Sequence, residues 1–175
     1  MVTRPPTRAD DLVRAIEFDP VTVQRLVADA QPHLAPWMAW AAGEYTVESA
    51  SSFLLDAATG WAAGTSFCYL IAPGGVPIGA CGLERRIGPR GLEIGYWLHP
   101  AHTGKGHATR ATATLLTLAR TLDDIDHVEI HHDAANHASG AIPRRLGFTL
   151  VETAEPRPIT APAETGVGMI WRIGL

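Results

Sequence analysis

Gly104, Lys105 and Gly106 are the residues whose types and spacing first suggest chemistry. They fall between a strand-like run, "LEIGYWL", and a helix-like run that opens at His107. A strand that turns on glycines into a helix presents unpaired backbone N–H groups at the positive end of the helix dipole. That arrangement suits a phosphate or pyrophosphate. Glycine lets the backbone adopt positive φ and approach a ligand closely. Lys105, the single lysine beside thirteen arginines, adds a mobile positive charge. Neither familiar nucleotide motif is complete. The P-loop pattern fails because Gly106 follows the lysine, and the dinucleotide pattern fails because Thr109 stands where a third Gly or Ala belongs. A G-x-G alone is equally a tight turn with a solvated lysine.

Eight histidines raise the question of a metal, above all in "HHDAANH". His131 and His132 are adjacent on a strand-like run and so point to opposite faces, where they cannot easily share one ion. No second cluster has ligand spacing, and no metal is expected. Cys68 and Cys81 show neither metal-ligand nor disulfide-framework spacing and are expected as reduced core residues.

The elements that must position these residues follow from periodicity. "DLVRAIEFDP" reads as a first strand. Asp19 as N-cap and Pro20 at the first helical position open a helix to about Ala30. "PHLAPWMAWAAGEY" reads as a loop or broken helix carrying Trp37 and Trp40. A second helix follows from Thr46, loosely capped with Ser49, its apolar face set by Phe53, Leu54, Ala57, Ala58 and Trp61. The period then changes to three strands, "SFCYLIA", "VPIGACGLERRI" and "LEIGYWL", joined by Gly/Pro turns as an antiparallel meander. Ala108, Ala111, Leu115, Leu118 and Leu122 mark a helix after the glycines. "HVEIHH" is a strand, "NHASGAIPRRLGF" a helix stopped at Gly147, and "FTLVET" and "VGMIWRI" close the chain as strands. The expected order is β-α-α-β-β-β-α-β-α-β-β: an α/β (α+β) fold, one mixed sheet with helices on its faces.

The 175 residues suit a single domain, 1–175, with one sizeable core. A net charge of −4 argues against a general nucleic-acid binder. No apolar run approaches a membrane span, and "MVTRPPTRADD" lacks the apolar core of a signal peptide. The expectation is a cytoplasmic protein without nucleic-acid or membrane partners.

Two stretches in this order, "LEIGYWLHPAHTGKGHATRA" and "NHASGAIPRRLGF", resemble the acyl-CoA-binding core of the GNAT acetyltransferase superfamily. They look most like its branch of RimJ/RimL ribosomal-protein N-terminal acetyltransferases. "HLAPWMAW" is similar to that branch's acceptor-side stretch. The resemblance implies a mostly antiparallel central sheet flanked by helices, and an acyl-CoA, most simply acetyl-CoA, as co-substrate. It implies that Thr103 to Ala108 wraps the CoA pyrophosphate. The cofactor-binding set is then Leu98, Thr103, Gly104, Lys105, Gly106, His107, Ala108, Thr109 and Asn136. Thr103 departs from the family's Gln or Arg and shortens a contact. For Lys105, a phosphate contact and a solvated side chain stand level. Arg110 is expected to face solvent.

Acyl transfer to an amine needs a neutral nucleophile, a stabilised oxyanion and, where helpful, a proton for the leaving thiolate. The resemblance points to a backbone N–H near Leu98 for the oxyanion, where the strand splays before Pro100. Glu93, in an apolar strand, is the candidate base; its other reading is a carboxylate paired with Arg85 or Arg86 across the sheet. Ser139 matches the family's serine beside the sulfur, and is alternatively a helix N-cap. Asn136 matches the asparagine that binds pantetheine or fixes the loop. Trp37 and Trp40 would wall the acceptor site while partly joining the core. Pro143 departs from the family, and a proline there clashes with the Ser139 carbonyl. The expectation is a helix that starts late or kinks, with the Ser139 carbonyl freed for a cofactor amide.

The leading reading is an acyl-CoA-dependent N-acyltransferase acting by direct attack in a ternary complex. The acceptor is a protein N-terminal α-amine or a small-molecule amine. The alternative is a non-catalytic acyl-CoA-binding sensor or structural protein of the same fold. Homodimers are common in the superfamily, and a homodimer is carried as an expectation that no surface in the sequence announces.

Overall fold

The computed structural model describes residues 4–154 and 158–175. Its strands form one eight-stranded sheet in the order β1-β2-β3-β4-β5-β6-β8-β7. In sequence these are β1 (Arg8–Ala9), β2 (Leu12–Arg14), β3 (Ser66–Ile71), β4 (Gly79–Glu84), β5 (Gly91–Leu98), β6 (His127–Asp133), β7 (Thr149–Ala154) and β8 (Gly168–Gly174). The helices are α1 (Pro20–Leu34), α2 (Val47–Ala63), α3 (His107–Ala119) and α4 (His137–Arg145). The expected order holds, except that a two-residue strand, β1, precedes the expected first strand, which is shortened to β2. β2 stops at Arg14 because Ala15–Glu17 turns as a 3-10 helix that leads into the α1 cap.

Local chemistry sets the helix ends. Asp19 Oδ1 accepts from Thr22 N at 2.9 Å, with Pro20 at the first helical position. α1 then runs past Ala30 to Leu34 with Pro32 inside its last turn. Thr46 and Ser49 form a full reciprocal capping box, tighter than the loose cap expected. Gly64 and Gly147 end α2 and α4 in the left-handed conformation.

The alternation of β-strands gives the sheet two apolar faces. One carries Phe67, Tyr69, Cys81, Leu83, Leu92, Ile94, Val128 and Ile130, and packs against Ala111, Leu115, Leu118 and Ala119 of α3. The other carries Leu70 and Ala80 against Val23 and Val27 of α1 and Ala50, Leu54 and Ala57 of α2. Trp97 joins this second face. The site residues are therefore distributed over both sides of one sheet.

One break in the sheet matters most. All neighbouring strands pair antiparallel except β5 and β6, which pair in parallel at only three positions, Gly91↔His127, Leu92↔Val128 and Glu93↔Glu129. β5 continues to Leu98 and β6 to Asp133, held on their outer sides by β4 and β8. Beyond Glu93 the two strands part. The opening begins five residues before Leu98, not at the His99-Pro100 step expected from sequence.

Candidate active site

The glycine turn stands just past the end of β5. Pro100–His102 makes one 3-10 turn, and Gly104 and Gly106 follow at φ +72° and +79°. A Cβ on Gly104 would meet nothing, so its glycine answers to backbone conformation and not to crowding. Gly106 is the N-cap of α3 and gives it no side-chain cap. The first N–H groups of α3 are left open to a ligand. The side chains of the loop are less free than their types suggested. Lys105 Nζ donates to Ala101 O at 2.8 Å, and Thr103 Oγ1 to Pro100 O at 2.9 Å. Arg110, expected in solvent, folds back over the turn: its guanidinium donates to Lys105 O at 3.2 Å and lies 3.0 Å from His107 Nδ1. His99, His102 and His107 stand in a row beside it, with ring centroids 5.9 and 6.3 Å apart. The His102 imidazole is held below its ordinary range by desolvation and then by the Lys105 charge.

α4 corrects the expectation raised by Pro143. The helix starts at once after Asn136, whose Oδ1 accepts from Ser139 N at 3.1 Å, and runs unbroken from His137 to Arg145. It does not start late, and Asn136, not Ser139, is its N-cap. The proline is accommodated because the carbonyl it displaces is used elsewhere. Tyr96 Oη donates to Ser139 O at 2.9 Å, and Ser139 Oγ donates to Tyr96 Oη at 3.2 Å. The carbonyl expected to be free for the cofactor is thus taken by β5. Burial pushes the Tyr96 phenol up to about 12, against a smaller opposing effect of Ser139, so the phenol stays a proton donor at neutral pH. This pair joins α4 to β5 on the α3 side of the opening.

The opposite face of the opening holds an ionic group. Glu93 is buried and receives a two-pronged bond from Arg86, with Nε 2.8 Å from Oε2 and Nη2 2.6 Å from Oε1. The ion pair weighed against a catalytic Glu93 is therefore present, with Arg86 as partner. Arg85 turns instead to Asp124, at 2.7 and 2.9 Å. Glu129, opposite Glu93 in register, accepts from both Nε and Nη2 of Arg172, and its Oε2 lies 2.6 Å from His131 Nε2. His131 Nδ1 points towards Glu93 Oε2 at 3.7 Å. Burial alone would raise the Glu129 carboxyl; the bonds from His131 and Arg172 outweigh it and hold the group below its ordinary range. An ionised Glu129 can only accept, so Nε2 carries the hydrogen of that bond.

Gly95 lies between Glu93 and Trp97 on this same face. It is exposed, and a Cβ there would touch nothing within 4 Å. Beyond it Trp40, half exposed, meets Trp97 at 6.1 Å and Tyr45 at 6.2 Å. Trp40 therefore reaches the sheet, whereas Trp37 sits half-buried just past α1, its backbone N–H donating to Leu34 O at 2.9 Å. Ala163 N donates to Pro36 O at 2.9 Å and ties the loop before β8 to this segment.

Of the residues expected at the site, Leu98 and the run Thr103 to Thr109 lie at and beyond the end of β5, and Asn136 and Ser139 open α4. Glu93 lies on the other face. The sequence assigns no role to Tyr96 or Gly95 and raises His131 only as a metal ligand. The one available signal was the two-residue spacing of Glu129 and His131, which puts both on one face of a strand. Among the described residues no group of three or more His, Cys, Asp or Glu is placed to hold a metal ion. No described helix is long and apolar enough to cross a membrane.

Comparison with known proteins agrees with this geometry. Residues 2–149 match the family model of the acetyltransferase (GNAT) domain. The chain belongs to the GNAT acetyltransferase family. Several solved structures share the family fold with this chain. A RimL ribosomal L7/L12 α-N-protein acetyltransferase in complex with coenzyme A superposes with a TM-score of 0.87, at 21% identity over 99% of this chain and 98% of that one. The microcin C7 self-immunity acetyltransferase MccE, in complex with acetyl-CoA and AMP, gives 0.84 at 21% identity over 94% and 91%. RimJ of Mycobacterium smegmatis gives 0.79 at 22% identity over 89% and 77%. In sequence, YdaF of Bacillus subtilis strain 168, provisionally named a ribosomal N-acetyltransferase, is 39% identical over 59 residues. That match spans 34% of this chain and 32% of YdaF, about a third of each.

Proposed function

We propose that this protein transfers the acetyl group of acetyl-CoA to the α-amine of a protein or peptide N-terminus. The observation that carries the reading is the parting of β5 from β6 beside a glycine-capped helix start. Backbone groups in a parting strand need partners. The amides of a pantetheine arm supply them, while the α3 N-terminus and the turn around Gly104 and Gly106 suit its pyrophosphate. The donor lies on the α3 face and the acceptor arrives from the α1–α2 face. Relatives that bind CoA and acetylate ribosomal-protein N-termini support the same assignment.

In this reading the amine nitrogen attacks the thioester carbon from the side of Glu93, the C–S bond breaks, and the sulfur leaves towards Ser139. The hydroxyl of Ser139 turns its hydrogen from Tyr96 Oη to the thiolate and regains a proton from water, so the thiol leaves neutral. Asn136 holds the start of α4 in place. Trp40 and Trp97 wall the acceptor side. No step uses a metal or a covalent enzyme intermediate.

The test is direct. Calorimetric titration with acetyl-CoA, with dephospho-CoA and ATP as controls, establishes the donor. A peptide with a free N-terminal serine, the same peptide with its amine blocked, and small primary amines then compete as acceptors. Transfer to the free peptide alone supports the reading. Transfer to small amines alone moves the acceptor class, and binding without transfer makes the protein an acyl-CoA sensor.

A further inference from the structure

We propose that His131 takes the proton from the acceptor amine, and that the bare surface over Gly95 seats that amine. This rests on the acetyltransferase reading above and assigns residues to it.

His131 is the first β6 residue past the last β5–β6 pair whose side chain shares the acceptor face. It follows Glu129 by two, and Glu129 is paired with Glu93. Its ring is held from one side. Glu129 accepts at Nε2, which fixes the tautomer and leaves a lone pair on Nδ1 in the neutral ring. Nδ1 faces Glu93 at 3.7 Å, too far for a hydrogen bond and near enough to stabilise a positive charge. The charged groups around the ring come from three strands and the turn after β4. Glu93 belongs to β5 and Glu129 to β6, Arg86 follows β4, and Arg172 comes from β8. Each carboxylate is matched by one guanidinium, so the frame is balanced before the ring takes a proton. Glu93, held by Arg86, acts through His131 as a positioning residue.

Gly95 supplies the room. A glycine inside a strand costs stability and leaves nothing to pack, so it calls for a reason. The φ of Gly95 does not lie in the left-handed region, and the space where a side chain would stand is empty. Neither backbone conformation nor crowding explains the residue. Close approach of a ligand does. Gly95 lies between Glu93, with His131, on one side and Trp97, under Trp40, on the other.

The step balances without any further reagent. The nitrogen lone pair forms the C–N bond, the carbonyl pair moves to oxygen, and its return expels the thiolate with the C–S pair. The nitrogen proton passes to His131 Nδ1 and then to water. The thiolate takes its proton on the other face of the sheet.

The experiment compares wild type, H131Q and G95V in three readouts. These are acetyl-CoA binding by calorimetry, acetylation of the peptide with a free N-terminal serine across pH, and thermal stability. Glutamine preserves a donor to Glu129, so H131Q keeps the ionic frame, the fold and the acetyl-CoA affinity. Its kcat falls at least about 100-fold while KM for the peptide holds. G95V is at least as stable as wild type, binds acetyl-CoA normally, and loses kcat/KM for the peptide. An H131Q kcat within a few-fold of wild type, or a loss that falls on KM alone, overturns the role of His131. G95V with unchanged peptide kinetics, or with lost acetyl-CoA binding, overturns the seat. Wild-type protein that acetylates no amine overturns the acetyltransferase reading itself, and this proposal with it.

Discussion

Replacing Gly106 by valine separates the two tasks of the turn. The residue sits at φ +79° as the N-cap of α3, and a Cβ there would lie 3.0 Å from an Arg110 guanidinium nitrogen. An L-residue in the left-handed region costs about 1–2 kcal/mol, and a β-branched one is placed at the upper end. The Arg110 contact is the far end of a flexible, exposed side chain and yields cheaply. The fold therefore survives, with a melting temperature lowered by about 2–8 °C for a domain of this size. Ligand binding suffers more. Relief of the strain turns the peptide units flanking Gly106, and with them the N–H groups that open α3. Each such donor contributes about 1.5–3 kcal/mol to a charged partner, so losing two weakens acetyl-CoA by roughly 3–6 kcal/mol, or about 150- to 20,000-fold. Calorimetry on the folded variant reads this directly, with circular dichroism as the control for fold. A folded G106V that binds acetyl-CoA like wild type refutes the assignment of this turn to the pyrophosphate.

Three further outcomes follow from the same contacts. Tyr96→Phe leaves Ser139 O without its donor, so stability falls by about 1–3 kcal/mol and kcat falls while acetyl-CoA affinity holds; unchanged kcat with bound donor removes Tyr96 from the site. Burial tends to raise the Asp133 carboxyl, but donors from Ala135, Thr165 and Gly166 outweigh it and hold it below its ordinary range. Its stabilisation is therefore complete above the unfolded carboxyl range, about pH 4, and is lost as pH falls through the lower native value. The gap in melting temperature between wild type and Asp133→Asn should be constant at neutral pH and narrow below pH 4, and a gap that widens in acid contradicts this. Burial, with a smaller push from Glu84, raises the Cys68 thiol to about 12, so a thiol reagent at about pH 8 should label it only on unfolding, and fast labelling of native protein would contradict that.

Much of the fold was legible in the chain because its signals are local. The Asp19-Pro20 cap, the Gly/Pro turns of the meander, the apolar spacing of α3 and the stop at Gly147 each act within a few residues. The glycine turn was legible for the same reason, since positive φ at Gly104 and Gly106 is a property of those residues and their neighbours. Two motifs in order carried the resemblance to the family. The fit of Pro143 is not legible locally, because a proline's cost depends on what receives the displaced carbonyl. That partner, Tyr96, lies 43 residues away on another element. The ionic frame has the same character. Glu93 and Glu129 meet through a parallel register, Arg172 arrives from β8, and His131 gains its setting only where two strands part. Sequence by itself determined which segments become helix, strand and turn, because backbone preference and periodicity are short-range. Only the tertiary structure decided which side chains share a face of the opened sheet, because register, burial and long-range hydrogen bonds set that choice.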